Sequence, residues 1–120
     1  MENKTLVVGA SVNRGRYSNI AIQKLRNKNI EVFAIGKVKG IVADVTIEVE
    51  MIQFEGIDTV TLYVNPLIQK KYYSYLIDLD PRRVIFNPGT ENMELIKLLN
   101  ENNIETEVAC TLVLLSTNQY

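Results

Sequence analysis

The chain has no histidine and a single cysteine, Cys110, and these two scarcities remove several chemistries at once. Without histidine there is no Ser-His or Cys-His activation of a nucleophile, no imidazole metal site and no phosphohistidine relay. One cysteine permits neither an internal disulfide nor a metal site built from several thiolates. Long hydrophobic runs are also missing: no stretch approaches the roughly 18 apolar residues that span a bilayer. The opening MENKTLVVGAS reaches Gly9 and Ser11 after too short an apolar run for a secretory signal. A cytoplasmic protein with no membrane partner is the expectation. Net charge is small as well. Thirteen basic residues against fourteen acidic ones leave a formal charge of -1, which disfavours nucleic acid as a partner for the surface at large.

What is present is an alternation of short β-branched runs with segments of helical period, the pattern of repeated β-α units. Strands are predicted over residues 5–8, 31–35, 59–64, 83–86 and 105–109, apolar enough to be covered on both faces. The expected fold class is α/β: a single Rossmann-like domain over residues 1–120, doubly wound, with a mostly parallel five-stranded sheet and helices on both faces. A first helix starts near Tyr17 or Ser18 and turns Ala21, Ile22 and Leu25 to one side. Asn65-Pro66 starts another, because asparagine caps free amides and proline brings a preset φ. Behind it Ile68, Tyr72, Tyr75, Leu76 and Leu79 form one stripe, and Pro81 ends it. Thr90 is the expected cap of a third helix, with Glu91 and Glu94 near its positive end and Leu95, Ile96 and Leu99 inward. Residues 36–58 read as loop with a short extra strand near Val45 to Ile47. The period of Thr111 to Ser116 fits helix or strand.

The most informative segment is VVGASVNRGRYSN, residues 7–19, in which a strand runs through small residues into a helix. Amides at a helix start lack intrahelical acceptors and the helix dipole is positive there, so such a turn suits a pyrophosphate. Gly9 permits close backbone approach, Ser11 and Ser18 offer hydroxyls, and Arg14 and Arg16 offer charge. The spacing of Gly9 and Gly15 satisfies neither G-x-G-x-x-G nor the P-loop pattern, and Arg16 stands where a P-loop needs lysine. Taken alone, the turn fits a plain β-α connection with solvated arginines equally well. An NAD-binding domain places an acidic residue about twenty positions after its glycine turn. Here the second strand is followed by Gly36, Lys37, Val38, Lys39 and Gly40. These lysines suit an extra ribose phosphate, or else form an ordinary solvated loop.

Four segments in this order resemble the stand-alone CoA-binding domain proteins, related to the CoA-binding domains of the succinyl-CoA synthetase α subunit and of ADP-forming acyl-CoA synthetases. They are VVGAS with Arg16-Tyr17-Ser18, IDTVTLYVNP (57–66), VIFNPGTEN (84–92) and ACTLVLL (109–115), and together they cover nearly the whole chain. The resemblance implies coenzyme A or acyl-CoA as cofactor, with its ADP part across the carboxyl ends of the strands. It implies a site of Gly9, Ala10, Ser11, Arg14, Arg16, Tyr17 and Ser18 in the first turn and Lys37 and Lys39 after the second strand. Val64, Asn65 and Pro66 would lie on the adenosine side, and Asn87, Pro88 and Gly89 would line the cleft mouth. Many relatives carry Val-Asn-Pro-Lys after the second strand, whereas this chain has Ile35-Gly36-Lys37-Val38-Lys39, so which lysine meets the ribose phosphate stays open. Cys110 matches a position often held by cysteine in such proteins. With no histidine or adjacent cation beside it, it is expected to pack rather than react, and no catalytic or metal-ligating residue is expected.

The functional expectation is a non-catalytic binder of a small nucleotide ligand. The alternatives are an NADP-type dinucleotide-binding protein, an accessory component of an acyl-CoA synthetase, or a regulatory protein whose partner contacts depend on ligand. For the last, the tyrosine-rich helix over residues 70–79 is the candidate surface, and homo-oligomerisation is open. Tyr17, Tyr63, Tyr72 and Tyr73 are expected to pack rather than to act as acids or bases.

Overall fold

The computed structural model describes residues 4–120. Its core is a sheet with β1 (Thr5–Ala10), β2 (Val32–Gly36), β3 (Gly40–Val42), β4 (Val45–Glu48), β5 (Thr59–Leu62), β6 (Arg83–Phe86) and β7 (Glu105–Val108). The spatial order is β3-β4-β2-β1-β5-β6-β7. All neighbours run parallel except β3, which pairs antiparallel with β4 at one edge.

The sheet therefore has seven strands, not the five expected. The two additions form a hairpin in the segment read mainly as loop. The short extra strand expected near Val45 to Ile47 is β4, where Val45 and Ile47 are buried and Thr46 between them is exposed, whereas its three-residue partner β3 is too short to show a period in sequence. Ala43 turns the hairpin in a left-handed conformation, φ 55°. The β4 strand then lies beside β2, extending the parallel sheet without a crossover helix.

Alternate residues of the central strands feed two cores. Leu6, Val8, Val60, Leu62, Val84 and Phe86 pack against the helices that follow β5 and β6. Val7, Ala34 and Ile47 face Ile22 and Leu25 of α1 (Tyr17–Asn27). Helices thus cover both faces, as expected.

The helix begun by Asn65-Pro66 is broken. The α2 helix (Pro66–Gln69) passes through a 3-10 turn, Lys70–Tyr72, into α3 (Tyr73–Leu79). Tyr72, Tyr75, Leu76 and Leu79 are buried as the stripe predicts. Asp80 leaves α3 with φ 52° just before Pro81. The next helix, α4 (Met93–Glu101), is not capped by Thr90. Asn92 caps it, accepting from the Leu95 amide at 3.2 Å, while the Thr90 hydroxyl donates to the Asn87 carbonyl at 2.7 Å and closes the preceding turn. Leu95 and Leu99 are buried and Ile96 is half-buried. Residues Thr111–Ser116 are helical (α5) and pack beside α1.

Candidate functional site

The first helix leaves β1 toward one face and the α2–α3 segment leaves β5 toward the other, so the winding reverses between β1 and β5. In open α/β sheets ligands lie outside the carboxyl ends of the strands at such a switch point. Gly9 sits there. It interrupts the register of β1 with β2 between Val8 and Ala10 and has φ 97°. A Cβ at this position would come within 3.0 Å of the Tyr63 carbonyl and Val64 Cγ1, so glycine is what lets the β1 and β5 ends close up.

The turn that follows is shaped by its own side chains. Asn13 donates its amide to Ser11 Oγ at 3.0 Å, and Gly15 donates to Asn13 Oδ1 at 2.9 Å. From inside α1, the Asn19 side chain donates to the Ser11 carbonyl at 2.9 Å and is itself held by Gln23 at 2.7 Å. Arg16 precedes α1 with extended φ/ψ and no side-chain cap, and no acidic residue occupies the first turn. Within the described residues, the Tyr17 and Ser18 amides find no backbone or side-chain acceptor. Arg14, Arg16 and Tyr17 are exposed around them, and Ser11 and Ala10 lie at the base of the turn. The result is a helix start whose positive end is open to an anion.

The lysine loop comes alongside this turn. A Cβ at Gly40 would fall 2.4 Å from Val12 Cγ1, so the β2–β3 connection touches the β1–α1 loop directly. Lys37 and Lys39 in that connection are exposed. Gly36, beside Ala10 in the sheet, would place a Cβ 2.3 Å from the Ala10 carbonyl oxygen, which sets how closely the two strands' ends approach.

On the other side of the switch point, Asn65 caps α2 by accepting from the Ile68 amide at 2.9 Å, with Val64 and Pro66 half-buried beside it. Pro88 and Gly89 are exposed in the turn after β6, where Gly89 has φ 91°. Two expected site residues are placed differently. Ser18 is only 3% exposed, so little of either its amide or its hydroxyl reaches the surface. Asn87 is 2% exposed and its amide group is consumed internally: it donates to Thr61 Oγ1 and the Leu62 carbonyl and accepts from the Thr111 amide. It shapes the β6 turn instead of lining a mouth.

Sequence reasoning passed over Gln69, which is fully buried. Its amide nitrogen donates to the carbonyls of Val64 and Thr90, both at 2.8 Å, and its oxygen accepts from Asn92. One side chain thus ties the β5 turn to the β6 turn. In sequence it is a polar residue within an apolar stripe, and only its neighbours in space reveal the role.

Tyr72 is buried and Tyr63 and Tyr73 are half-buried, as packing groups are, whereas Tyr17, also expected to pack, is 70% exposed. The Tyr63 hydroxyl is buried without a well-formed hydrogen bond, close to the Thr61 and Thr111 hydroxyls, and burial pushes its pKa up to about 12. Burial likewise raises Tyr72 and Tyr73, and the Tyr73 hydroxyl donates to Glu94 at 2.9 Å. Cys110 is half-buried at the start of α5. A shallow, mostly apolar depression of about 570 Å³ on α4, lined by Met93, Ile96, Lys97, Asn100 and Glu101, lies apart from the basic loops and gathers no set of donors for a phosphate.

Parallel strands wound in both directions from a central switch point define an α/β domain of the Rossmann-like class. The sequence narrows this further: residues 3–116 match the family described as CoA binding domain, and the chain belongs to it. Among curated proteins none matches. A crystal structure of an uncharacterized protein is 46% identical, with TM-score 0.97 over 100% of this chain and 99% of that one. A Thermus thermophilus protein, cell-free ID.343, shares the fold at 17% identity and TM-score 0.86, covering 99% of this chain and 91% of its own. The dinucleotide forming acetyl-coenzyme A synthetase 1 of Ca. Korarchaeum cryptofilum, solved with phosphate and ADP, shares it at 12% identity and TM-score 0.72. That match covers 87% of this chain but 25% of the synthetase. No helix among the described residues is long and apolar enough to cross a membrane.

Proposed function

We propose that the protein is a non-catalytic binder of coenzyme A or an acyl-CoA. In this reading the pyrophosphate sits on the Tyr17 and Ser18 amides and the ribose phosphate is held by Lys37 and Lys39. The observation that carries the reading is the contact of Val12 with Gly40, which sets the basic β2–β3 loop against an uncapped helix start free of acidic side chains. A ligand with a pyrophosphate and a separate ribose phosphate uses both features; a simple mononucleotide uses one. Arg14 and Arg16 add charge from the same turn, the adenosine lies against the Val64-Asn65-Pro66 turn, and Pro88 and Gly89 line the mouth of the cleft. Family membership supports the ligand class. The lack of histidine, which removes imidazole-based nucleophile activation and phosphoryl relay, supports binding without catalysis.

Isothermal titration with coenzyme A and dephospho-CoA tests this. Coenzyme A should bind the more tightly, and replacing Lys37 and Lys39 together by alanine should weaken it about tenfold or more while affecting dephospho-CoA little. The difference should shrink with added salt. Equal binding of the two ligands would remove the ribose-phosphate assignment, and no binding of either would end the proposal.

A further inference from the structure

The face of β5 and β6 turned toward α1 and α5 is polar where a core is normally apolar. Thr59, Thr61, Arg83 and Asn87 are all buried there. Residues 111–120 cover it, and they hold on at two ends. At the carboxyl edge the Thr111 hydroxyl meets the Thr61 hydroxyl at 2.8 Å, and the Thr111 amide donates to Asn87 Oδ1 at 2.9 Å. At the amino edge the Tyr120 ring lies 4.8 Å from the Arg83 guanidinium carbon and its hydroxyl is hydrogen-bonded to Thr5 Oγ1. Between these anchors Leu114 and Leu115 are buried, while Ser116, Thr117, Asn118 and Gln119 are exposed.

Such a segment has little cohesion of its own. A helix of six residues is unstable unless packed. The ground beneath it lowers the cost of release, because water can replace the bonds that Thr61 and Asn87 make to Thr111 and can reach the Tyr63 hydroxyl, which is buried without a partner. The carboxyl-edge anchor also touches the candidate site: Asn87 belongs to the same turn as Pro88 and Gly89 and loses its Thr111 partner if the segment undocks.

We propose that residues 111–120 form a strap whose docking is coupled, through Thr111 and Asn87, to occupancy of the carboxyl-edge site. The coupling rests on the coenzyme A reading given above. A ligand lying over the β6 turn favours the turn geometry that the docked strap maintains, so ligand tightens strap and strap tightens ligand by the same factor.

Tyr120 makes this separable from direct contact, since it anchors at the amino edge, opposite the site. Hydrogen exchange read by mass spectrometry, with and without coenzyme A, should show peptides of 111–120 exchanging faster than β1 in the free protein and slowing on binding. Tyr120→Ala should speed strap exchange and weaken coenzyme A about fivefold or more by calorimetry. Tyr120→Phe, which keeps the ring on Arg83 and so protects the fold, should fall between. Coenzyme A binding that leaves strap exchange unchanged, with Tyr120→Ala binding as tightly as the parent, overturns the coupling and leaves the ligand reading intact. No binding to the parent protein overturns the ligand reading and the coupling together.

Discussion

Gly9 concentrates three requirements in one residue: a register shift in β1, a positive φ, and contact with the Tyr63 carbonyl and the Val64 side chain. Alanine there meets both an unfavourable backbone region and a close contact with main-chain atoms that have no flexible end to swing away. Gly9→Ala should therefore destabilise the protein by about 2–4 kcal/mol, seen as a lower urea midpoint at unchanged slope. Its importance was legible in sequence as the glycine ending an apolar strand. The placement of Ser18 and Asn87 was not: a hydroxyl and an amide look the same in sequence whether they face a ligand or the interior, and only burial separates the two.

Among the elements, the α2 segment shows how one polar side chain organises a site it does not line. Gln69 satisfies the Val64 and Thr90 carbonyls, and those two turns flank the route proposed for the ligand. Gln69→Ala leaves both carbonyls and the Asn92 amide short of partners inside the protein, which should cost about 2 kcal/mol by urea unfolding. It should also weaken coenzyme A, because the β5 and β6 turns lose their tie. The same effect on affinity from Gln69→Glu, which keeps the acceptor and loses the two donors, would point to the donated bonds; parent-like affinity in both variants would show the turns to be held by other means. Element types were legible wherever period and caps agreed, as at Asn65-Pro66. They were not legible at Thr90, where a residue with good capping chemistry bonds backward to Asn87 while Asn92, two residues on, takes the helix start.

For the whole molecule, the amino edge of the sheet is stabilised by charge pairs set away from the proposed site. Arg82 grips Asp58 with two bonds, at 2.8 and 3.1 Å. That guanidinium holds the Asp58 carboxyl below its ordinary range against the opposing effect of burial, with the Thr59 hydroxyl assisting. Because the folded value is depressed, the stability it contributes is complete above the ordinary aspartate pKa of about 3.9 and is lost as pH falls through the folded value. Arg82 is half exposed, so solvent screens the pair and Asp58→Asn should cost about 1 kcal/mol at pH 7. Parent and variant should converge as pH drops below about 4. Urea titrations at pH 7 and pH 3 check this; an equal gap at both would assign the effect to something other than ionisation.

The sequence by itself determined the alternation of strands and helices, the two-sided burial of the central strands, and the glycine turn with its basic neighbours. These follow from local period, composition and turn chemistry, which act over a few residues and are written in them. Only the tertiary structure decided that residues 40–48 pair as a hairpin extending the sheet, that Thr111–Ser116 is helical, and that the loops carrying Arg14 and Lys37 touch. It also decided that Gln69 and Asn87 are spent on holding turns. Each of these depends on which distant segment supplies the partner for a short, locally ambiguous stretch or a polar side chain, and that choice is made by packing across the sheet.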